Sequence, residues 1–378
     1  MDSTLRKAFS PMRPTRWMLR TLLLALATTG LWAQERETPA RPADLRRDIE
    51  QAYRRGQYES VINLTSDVIE TTEKPDPYYQ YMRGMAAYNI GWFAQAEADM
   101  APLAEGDRAR QWPEAAKVVD RVGQLRAIGP QRIHEVRDGP DVLFRVYYDE
   151  DDKWTRALIA ALGDAHRVVS DFYGTSMTQT AVFVFADKDR RSAFSRVLFG
   201  QEPSEWAWAS GANGMLFFCP YAPGYETRQS ASQLPDTVAH EFSHCLTHRV
   251  LGTAAMPKWL DEGLAMHCAS LVREAEVQEN DIAITRMWTA GRIMPLDVIT
   301  DDTVYRDPET AVDAYPQGYA MVRFALSVMG RDGLLAMLNG LKSNGQFKPT
   351  MEQTWNGGMT GFYDDWHDAT ERRVEKFK

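Results

Sequence analysis

Hydrophobic residues recur at helical spacing in two long stretches of the chain. The first stripe comprises Trp154, Leu158, Leu162, Ala165, Val169 and Phe172. The second stripe comprises Leu234, Val238, Phe242, Leu246 and Val250. Apolar positions separated by three or four residues lie on one face of an α-helix, and that face packs against a core. The sequence therefore predicts two long amphipathic helices, the second of which has Pro235 and Asp236 in its first turn.

Shorter apolar runs predict β-strands around and between these helices. Residues 180–185 are a threonine followed by five apolar residues, a pattern typical of a buried strand, and the apolar residues 215–219 predict another strand. The β-forming residues 132–136 and 142–148 lie on either side of Asp138-Gly139, which predicts a hairpin. Residues 191–198 predict a short helix. This mixture of helices and strands predicts an α+β fold for the larger part of the chain.

A repeat with a spacing of 35 residues marks the N-terminal part. Ala52-Tyr53-Arg54-Arg55-Gly56-Gln57-Tyr58 aligns with Ala87-Tyr88-Asn89-Ile90-Gly91-Trp92-Phe93. The spacing is close to the tetratricopeptide period of about 34 residues, and both segments predict a helix end, a tight turn and a second helix start. A further helix is predicted over residues 112–128. Two roles stay open for this region, namely a groove that binds a peptide or partner protein and a helical spacer that only packs on the rest.

The first 33 residues have the pattern of a secretory signal. Five basic residues, Arg6, Lys7, Arg13, Arg16 and Arg20, precede the apolar residues 22–33, which are too few to span a bilayer comfortably. Cleavage after Ala33 or after Ala27 is expected, and an uncleaved membrane anchor is the alternative. The sequence therefore predicts an exported protein, periplasmic or secreted.

Composition and charge narrow the class of protein. The chain has 378 residues, of which 44% are hydrophobic and 25% charged, as in ordinary globular proteins. Its net charge of −9 argues against nucleic acid as a partner. Its three cysteines, Cys219, Cys245 and Cys268, are too few for a disulfide framework. A Cys245–Cys268 disulfide and three small buried apolar side chains both stay open.

The second long helix contains His240-Glu241-Phe242-Ser243-His244, an H-E-x-x-H motif. Residues four apart are separated by about 40° around a helix, so both imidazoles project from one face. Two imidazole nitrogens can bind zinc at about 2.0–2.1 Å, with Glu241 beside them within reach of a metal-bound water. His248 continues the same face but lies about 12 Å from His240 along the axis, too far to share one tetrahedral ion.

A second motif follows eighteen residues after His244, where Glu262 lies within Trp259-Leu260-Asp261-Glu262-Gly263-Leu264-Ala265. The two motifs together resemble the gluzincin metallopeptidases, most closely the peptidase MA-like domains and more distantly the M1 aminopeptidases. The resemblance implies that His240, His244 and Glu262 bind one zinc ion and that Glu241 is the general base. Asp261 is a rival ligand, but the resemblance places the ligand immediately before Gly263.

Other segments separate the chain from related peptidases. Val250 occupies the position at which a metzincin needs its third histidine, which excludes that class. The M1 Gly-x-Met-Glu-Asn signature is represented only by residues 211–215, which lack the glutamate that holds a free amine, and this disfavours an aminopeptidase. In gluzincins the strand before the metal helix is a sheet edge that pairs with substrate, so the resemblance implies this role for residues 215–219.

Tyr315-Pro316-Gln317-Gly318 is similar to the Tyr-x-Lys-Gly segment of M1 enzymes, in which the tyrosine stabilises the oxyanion. The similarity implies this role for Tyr315, and Gln317 departs from the pattern. Tyr319 is the alternative oxyanion donor. A half-buried packing role for Tyr315 is equally open.

These observations predict a signal peptide (1–33), a flexible lead (34–44), an all-α tetratricopeptide-like region (45–128) and a gluzincin-type domain (131–378). That domain is expected to contain a mixed sheet, the H-E-x-x-H helix and C-terminal helices. The expected function is hydrolysis of peptides or proteins by a zinc-dependent endopeptidase. The alternatives are an aminopeptidase or other amidase, and a catalytically silent scaffold that binds a partner protein through its helical repeats. Contact with a membrane is expected only if the N-terminal segment stays uncleaved.

Overall fold

The computed structural model describes residues 42–203, 207–221, 229–252 and 254–376. The predicted signal peptide and the lead up to residue 41 lie outside the described residues. Arg46–Lys378 form one compact unit, and of the preceding unit, Met1–Leu45, only the first residues of one helix are described. The described chain is mostly helical with one small mixed sheet, which agrees with the predicted α+β class.

The N-terminal region consists of six helices and a short 3-10 turn at Ala101–Leu103. The helices are α1 (Pro42–Arg54), α2 (Tyr58–Thr71), α3 (Pro77–Asn89), α4 (Phe93–Met100), α5 (Arg108–Gln111) and α6 (Pro113–Ile128). Helix α1 therefore begins at Pro42, inside the segment expected to be a flexible lead.

The sequence repeat has the same backbone structure in both copies. Gln57 N donates to Ala52 O (2.9 Å) after α1, and Trp92 N donates to Ala87 O (2.8 Å) after α3. The glycine in each turn, Gly56 and Gly91, has a positive φ, which glycine adopts without steric cost. The 35-residue repeat thus corresponds to two similar helix–turn–helix units, and their assignment as tetratricopeptide repeats stays a prediction.

These helices pack against the sheet instead of standing apart from it. The Phe93 ring lies 5.8 Å from the Phe183 ring of the sheet, and Trp92 Nε1 donates to Gln179 O at 3.0 Å. The predicted boundary at residues 129–130 falls between α6 and the first strand, inside the same compact unit. Binding of a partner protein by this region stays a prediction.

The sheet has five strands in the order β1-β2-β3-β5-β4. They are β1 (Arg132–Asp138), β2 (Asp141–Tyr148), β3 (Thr180–Val184), β4 (Ala209–Ala212) and β5 (Met215–Phe218). The pairs β1–β2 and β5–β4 are antiparallel, and the pairs β2–β3 and β3–β5 are parallel. Strand β5 is therefore internal, and the expectation that residues 215–219 form the sheet edge is wrong. The edge on this side of the sheet is β4, a strand that the sequence patterns did not predict.

The remaining helices surround the sheet and build the C-terminal half. They are α7 (Lys153–Tyr173), α8 (Lys188–Phe199), α9 (Leu234–Leu251), α10 (Lys258–Val272), α11 (Ala275–Thr289), α12 (Leu296–Ile299), α13 (Pro308–Asn344), α14 (Phe347–Thr354) and α15 (Gly358–Glu375). Helix α13 is interrupted at Gly330, whose φ of 69° is not helical. Among the residues that the structure describes, no helix combines the length and the apolar character needed to cross a bilayer.

The predicted apolar stripes face the core. In α9 the side chains of Leu234, Val238, Phe242 and Leu246 are fully buried, and the Phe242 ring lies 5.2 Å from Phe144 of β2. This packing fixes the rotation of α9 about its axis, because an apolar stripe that faces the sheet leaves the polar positions of the helix to face its other neighbours.

Candidate metal centre

Helices α9 and α10 bring three of the predicted site residues together. His240 Nε2 lies 3.2 Å from His244 Nε2, and Glu262 Oε2 lies 3.2 Å from His240 Nε2 and 3.4 Å from His244 Nε2. His240, His244 and Glu262 are the one group of potential metal ligands with converging donor atoms among the described residues.

The three atoms form a nearly equilateral triangle whose size suits zinc. In a tetrahedral site with metal–ligand distances of about 2.0–2.1 Å, neighbouring ligand atoms are about 3.3–3.4 Å apart. Glu262 Oε2 is buried and accepts no hydrogen bond within the described chain, although buried acceptors are normally satisfied. Two imidazole nitrogens and one carboxylate oxygen that lacks a partner are a donor set that fits a zinc ion.

Asp261 has a different position from its neighbour Glu262. Its Oδ1 accepts a hydrogen bond from His244 Nδ1 at 2.9 Å, on the side of the ring away from the triangle. A carboxylate in this position fixes the imidazole tautomer and orients the other ring nitrogen towards a metal. The structure therefore places Asp261 behind His244 and leaves it outside the set of converging ligand atoms.

Lys258 is a site residue that the sequence reasoning missed. Its Nζ lies 2.9 Å from Glu262 Oε1 and 3.3 Å from Asp261 Oδ2. Burial would lower the pKa of Lys258, but these two carboxylates raise it. The spacing of three and four residues along α10 is the signal that would have found this contact.

The pKa values of His244 and Glu262 are each shifted by the charge of the other. Burial alone would lower the pKa of His244, but Asp261 and Glu262 raise it well above its usual value. Burial alone would raise the pKa of Glu262, but the adjacent His244 and His240 hold it well below its usual range. Two carboxylates beside one imidazole favour its protonated form, which is why the pKa of His244 is raised.

Two close backbone approaches set the geometry around the triangle. A Cβ at Gly263 would lie 2.5 Å from Gly318 O, and a Cβ at Gly318 would lie 2.7 Å from Trp259 O. Only glycine permits α10 and α13 to pack so closely. Likewise, a Cβ at Gly211 would lie 2.4 Å from Glu241 O, so glycine lets the edge strand β4 approach α9.

The triangle lies in a cleft of about 900 Å³. Glu241 lines this cleft, and its side chain is largely buried. Trp208 and the β4 residues Ala209, Ser210 and Gly211 also line the cleft. No other strand among the described residues pairs with the outer edge of β4. The cleft therefore combines possible metal ligands, a carboxylate that can act as a base, and a free strand edge.

Arg191 holds β4 in place and was also missed by the sequence reasoning. It is fully buried and donates hydrogen bonds to Ala207 O and to Ser210 Oγ, on both sides of the strand start. Burial lowers the pKa of Arg191 to about 10. No local pattern predicts these contacts, because they join α8, predicted only as a short helix, to a strand that lies sixteen or more residues further along the chain.

Of the two candidate tyrosines, Tyr315 lines the cleft and Tyr319 does not. The Tyr315 ring centroid lies 6.4 Å from that of His240. Burial, followed by the negative charges of Glu262 and Glu241, raises the pKa of Tyr315, so its phenol remains a proton donor at neutral pH. Tyr305, which the sequence analysis did not consider, lines the cleft beside Tyr315 at a ring distance of 5.6 Å.

Several other residues, among them His267, which the sequence analysis did not consider, lie outside the set of converging ligand atoms. His248 lines the cleft but is outside the ligand set, and burial lowers its pKa. Burial lowers the pKa of His267 to about 4, and its ring packs on Phe172. Gln317, which departs from the M1 pattern, is fully buried and bonds both Met294 N and Met294 O at 2.8 Å. Cys219, Cys245 and Cys268 are buried free thiols.

Comparison with known protein families gives a match for one region of the chain. Residues 228–371 match a family model described as the Peptidase MA superfamily, which supports an MA-clan peptidase-like domain over this range. No curated protein and no solved structure matches the chain. MA-clan peptidases usually use zinc, and a peptidase domain implies peptide or protein substrates. The matched range includes His240, Glu241, His244, Glu262 and Tyr315.

Proposed function

We propose that this protein is a zinc-dependent endopeptidase. The observation that carries the proposal is the triangle of His240 Nε2, His244 Nε2 and Glu262 Oε2, whose edges of 3.2–3.4 Å fit a tetrahedral zinc site. The triangle lies in a cleft with Glu241 and a free strand edge. The match to the Peptidase MA superfamily supports the same reaction class.

Each residue of the cleft has its own role in the proposed hydrolysis of a peptide bond. A zinc ion in the site would supply Lewis acid chemistry and make water easier to deprotonate. Glu241 takes a proton from the attacking water and passes it to the leaving nitrogen, as a general base and then a general acid. Tyr315 keeps its proton and donates a hydrogen bond to the negative charge that develops on the carbonyl oxygen. The outer edge of β4 pairs with the peptide backbone.

Two observations favour an endopeptidase over an aminopeptidase. The edge strand β4 has the sequence Ala-Ser-Gly-Ala and offers no carboxylate to a free amine. Asp236 and Glu276 at one end of the cleft already share a cationic partner, because Arg273 Nε donates to Asp236 Oδ2 at 2.8 Å and the Arg273 guanidinium also contacts Glu276. A substrate with a blocked N-terminus would then bind as well as one with a free N-terminus.

The test is zinc analysis and peptide hydrolysis by purified protein and its Glu241→Gln variant. We expect about one zinc per chain in both proteins and a loss of hydrolysis of about 10²- to 10⁴-fold in the variant. Glu371→Gln, an exposed position on α15, is the matched control and should keep the parent activity.

Four results would contradict the proposal in different ways. Absence of zinc from active protein would remove the metal centre. Undiminished hydrolysis by Glu241→Gln would remove the base. Bound zinc without hydrolysis of any peptide in a broad library would favour the silent scaffold. Hydrolysis of peptides with free N-termini alone would favour the aminopeptidase.

We also propose that the protein is exported, on the sequence pattern of residues 1–33. N-terminal sequencing of the protein from its native host should find a chain that begins after Ala27 or Ala33. An intact N-terminus in a soluble intracellular fraction would contradict this localisation.

A further inference from the structure

A second, apolar cavity opens beside the metal cleft. It has a volume of about 530 Å³, and its lining includes Trp208, Met266, Pro308, Val312 and Tyr315. Three of these residues, Trp208, Met266 and Tyr315, also line the metal cleft, so the two spaces are adjacent.

The cavity lies close to the reacting atoms. Met266 follows the proposed ligand Glu262 by one helical turn, on the same face of α10, which is a rise of about 6 Å. Two residues of an extended peptide span about 6.6 Å. The Tyr315 ring, which forms another wall, is 6.4 Å from the His240 ring. A peptide bound with its scissile bond at the metal centre therefore places a side chain from one of the next residues at the mouth of the cavity.

The walls of the cavity are unusual for a solvent-exposed surface. Val312 is 64% exposed, although large hydrophobic side chains are mostly buried elsewhere in the described chain. Isolated exposed valines are common and carry no meaning by themselves. Here the valine belongs to a concave surface that also includes an indole, a thioether and a phenol and that joins a polar cleft. A concave apolar space with polar groups at one side is typical of a ligand-binding pocket.

We propose that this cavity is the specificity pocket of the cleft and that it binds a large apolar side chain, such as leucine, methionine or phenylalanine, of the peptide substrate. The proposal rests on the proposed peptidase function, since it assumes that the ligand of the cleft is a peptide. The pocket has no charged residue in its lining, so it would exclude acidic and basic side chains, which lose hydration without gaining a partner.

The test compares peptides that differ at one position. In a series based on the best substrate, replacement of the preferred apolar residue by alanine should lower kcat/KM by about 10- to 200-fold. The ratio of kcat/KM for the apolar peptide to kcat/KM for its alanine analogue measures this preference. Val312→Asp should reduce this ratio to near one, because the carboxylate makes the pocket wall polar. Val328→Asp is the matched control, since Val328 is also on α13, is 57% exposed and does not line the cavity. It should keep the parent ratio.

Binding of the same peptides to the Glu241→Gln variant gives a readout that does not depend on turnover. Fluorescence anisotropy should show tighter binding of the apolar peptide than of its alanine analogue, and Val312→Asp in this background should abolish the difference. Thermal unfolding of each variant shows that the fold is kept.

Different failures have different meanings. If the parent protein hydrolyses no peptide, the proposed function fails, and the anisotropy measurement still decides whether the cavity binds apolar side chains. If the parent hydrolyses peptides without an apolar preference, the pocket proposal is overturned and the peptidase proposal stands. If Val328→Asp reduces the ratio as much as Val312→Asp, the pocket proposal is also overturned.

Discussion

Helix α9 carries two pairs of polar residues with the same spacing of four, and their environments differ. His240 and His244 face the carboxylates of α10, where Glu262 Oε2 accepts no hydrogen bond within the described chain. Ser243 and Thr247 face α7, where the Tyr173 hydroxyl lies 3.0 Å from Ser243 Oγ and 2.6 Å from Thr247 Oγ1.

The difference separates a binding site from a packing contact. At Tyr173 every hydroxyl has a partner inside the chain, so nothing further is needed to satisfy the group. At Glu262 the chain brings two imidazole nitrogens close to a carboxylate oxygen that accepts no hydrogen bond, an arrangement that is costly unless a cation is bound. Two pairs with the same spacing on one helix thus have different roles. Ser243 and Thr247 stabilise the packing of α9 on α7, and by our proposal His240 and His244 bind a metal.

Loss of the open acceptor should have the largest effect. Glu262→Gln replaces a charged ligand by a neutral amide, and we expect zinc affinity to fall by more than the roughly 100-fold typical of a lost residue that supports a ligand. Competition with a chromophoric chelator measures the change. Glu371→Gln is the control for the substitution itself, and zinc affinity within tenfold of the parent would argue that Glu262 is not a ligand.

The protonation of His244 should make zinc binding depend on pH. Asp261 and Glu262 raise the pKa of His244 in the metal-free protein, and zinc binds the neutral imidazole. Zinc should therefore displace about one proton near neutral pH, and its affinity should fall by about tenfold per pH unit as pH decreases below that pKa.

Calorimetry in two buffers with different ionisation enthalpies measures the released proton. Asp261→Asn removes one of the two charges that raise the pKa of His244 and should reduce the release. Zinc binding at pH 7 with no proton release would show that His244 is neutral before the metal binds.

The second polar pair should affect stability and leave the metal unchanged. Tyr173→Phe removes one hydroxyl from a buried network and should lower the free energy of unfolding by about 1–3 kcal/mol. Zinc affinity should stay within about threefold of the parent, far from the change expected for a lost ligand. Urea unfolding and the chelator competition measure the two quantities. A loss of zinc as large as that of Glu262→Gln would show that the two pairs are coupled, and the comparison would fail.

Local patterns in the sequence predicted much of the fold. The apolar stripes predicted α7 and α9, and the 35-residue repeat predicted two similar helical turns at Gly56 and Gly91. The runs at residues 180–185 and 215–219 predicted β3 and β5. Strand β4 was missed because its four small residues have neither the length nor the β-branched side chains that mark a strand.

The sequence by itself determined that His240 and His244 share a side of one helix, because the helical period relates residues four apart wherever the helix lies. It did not determine that Asp261 supports His244 while Glu262 joins the triangle, that Lys258 contacts both carboxylates, or that β4 forms the sheet edge. Nor did it indicate the cavity at Val312, whose walls come from β4's flank, α10 and α13. These features depend on how separate elements pack, and that packing is set by close approaches between residues as distant along the chain as Gly263 and Gly318.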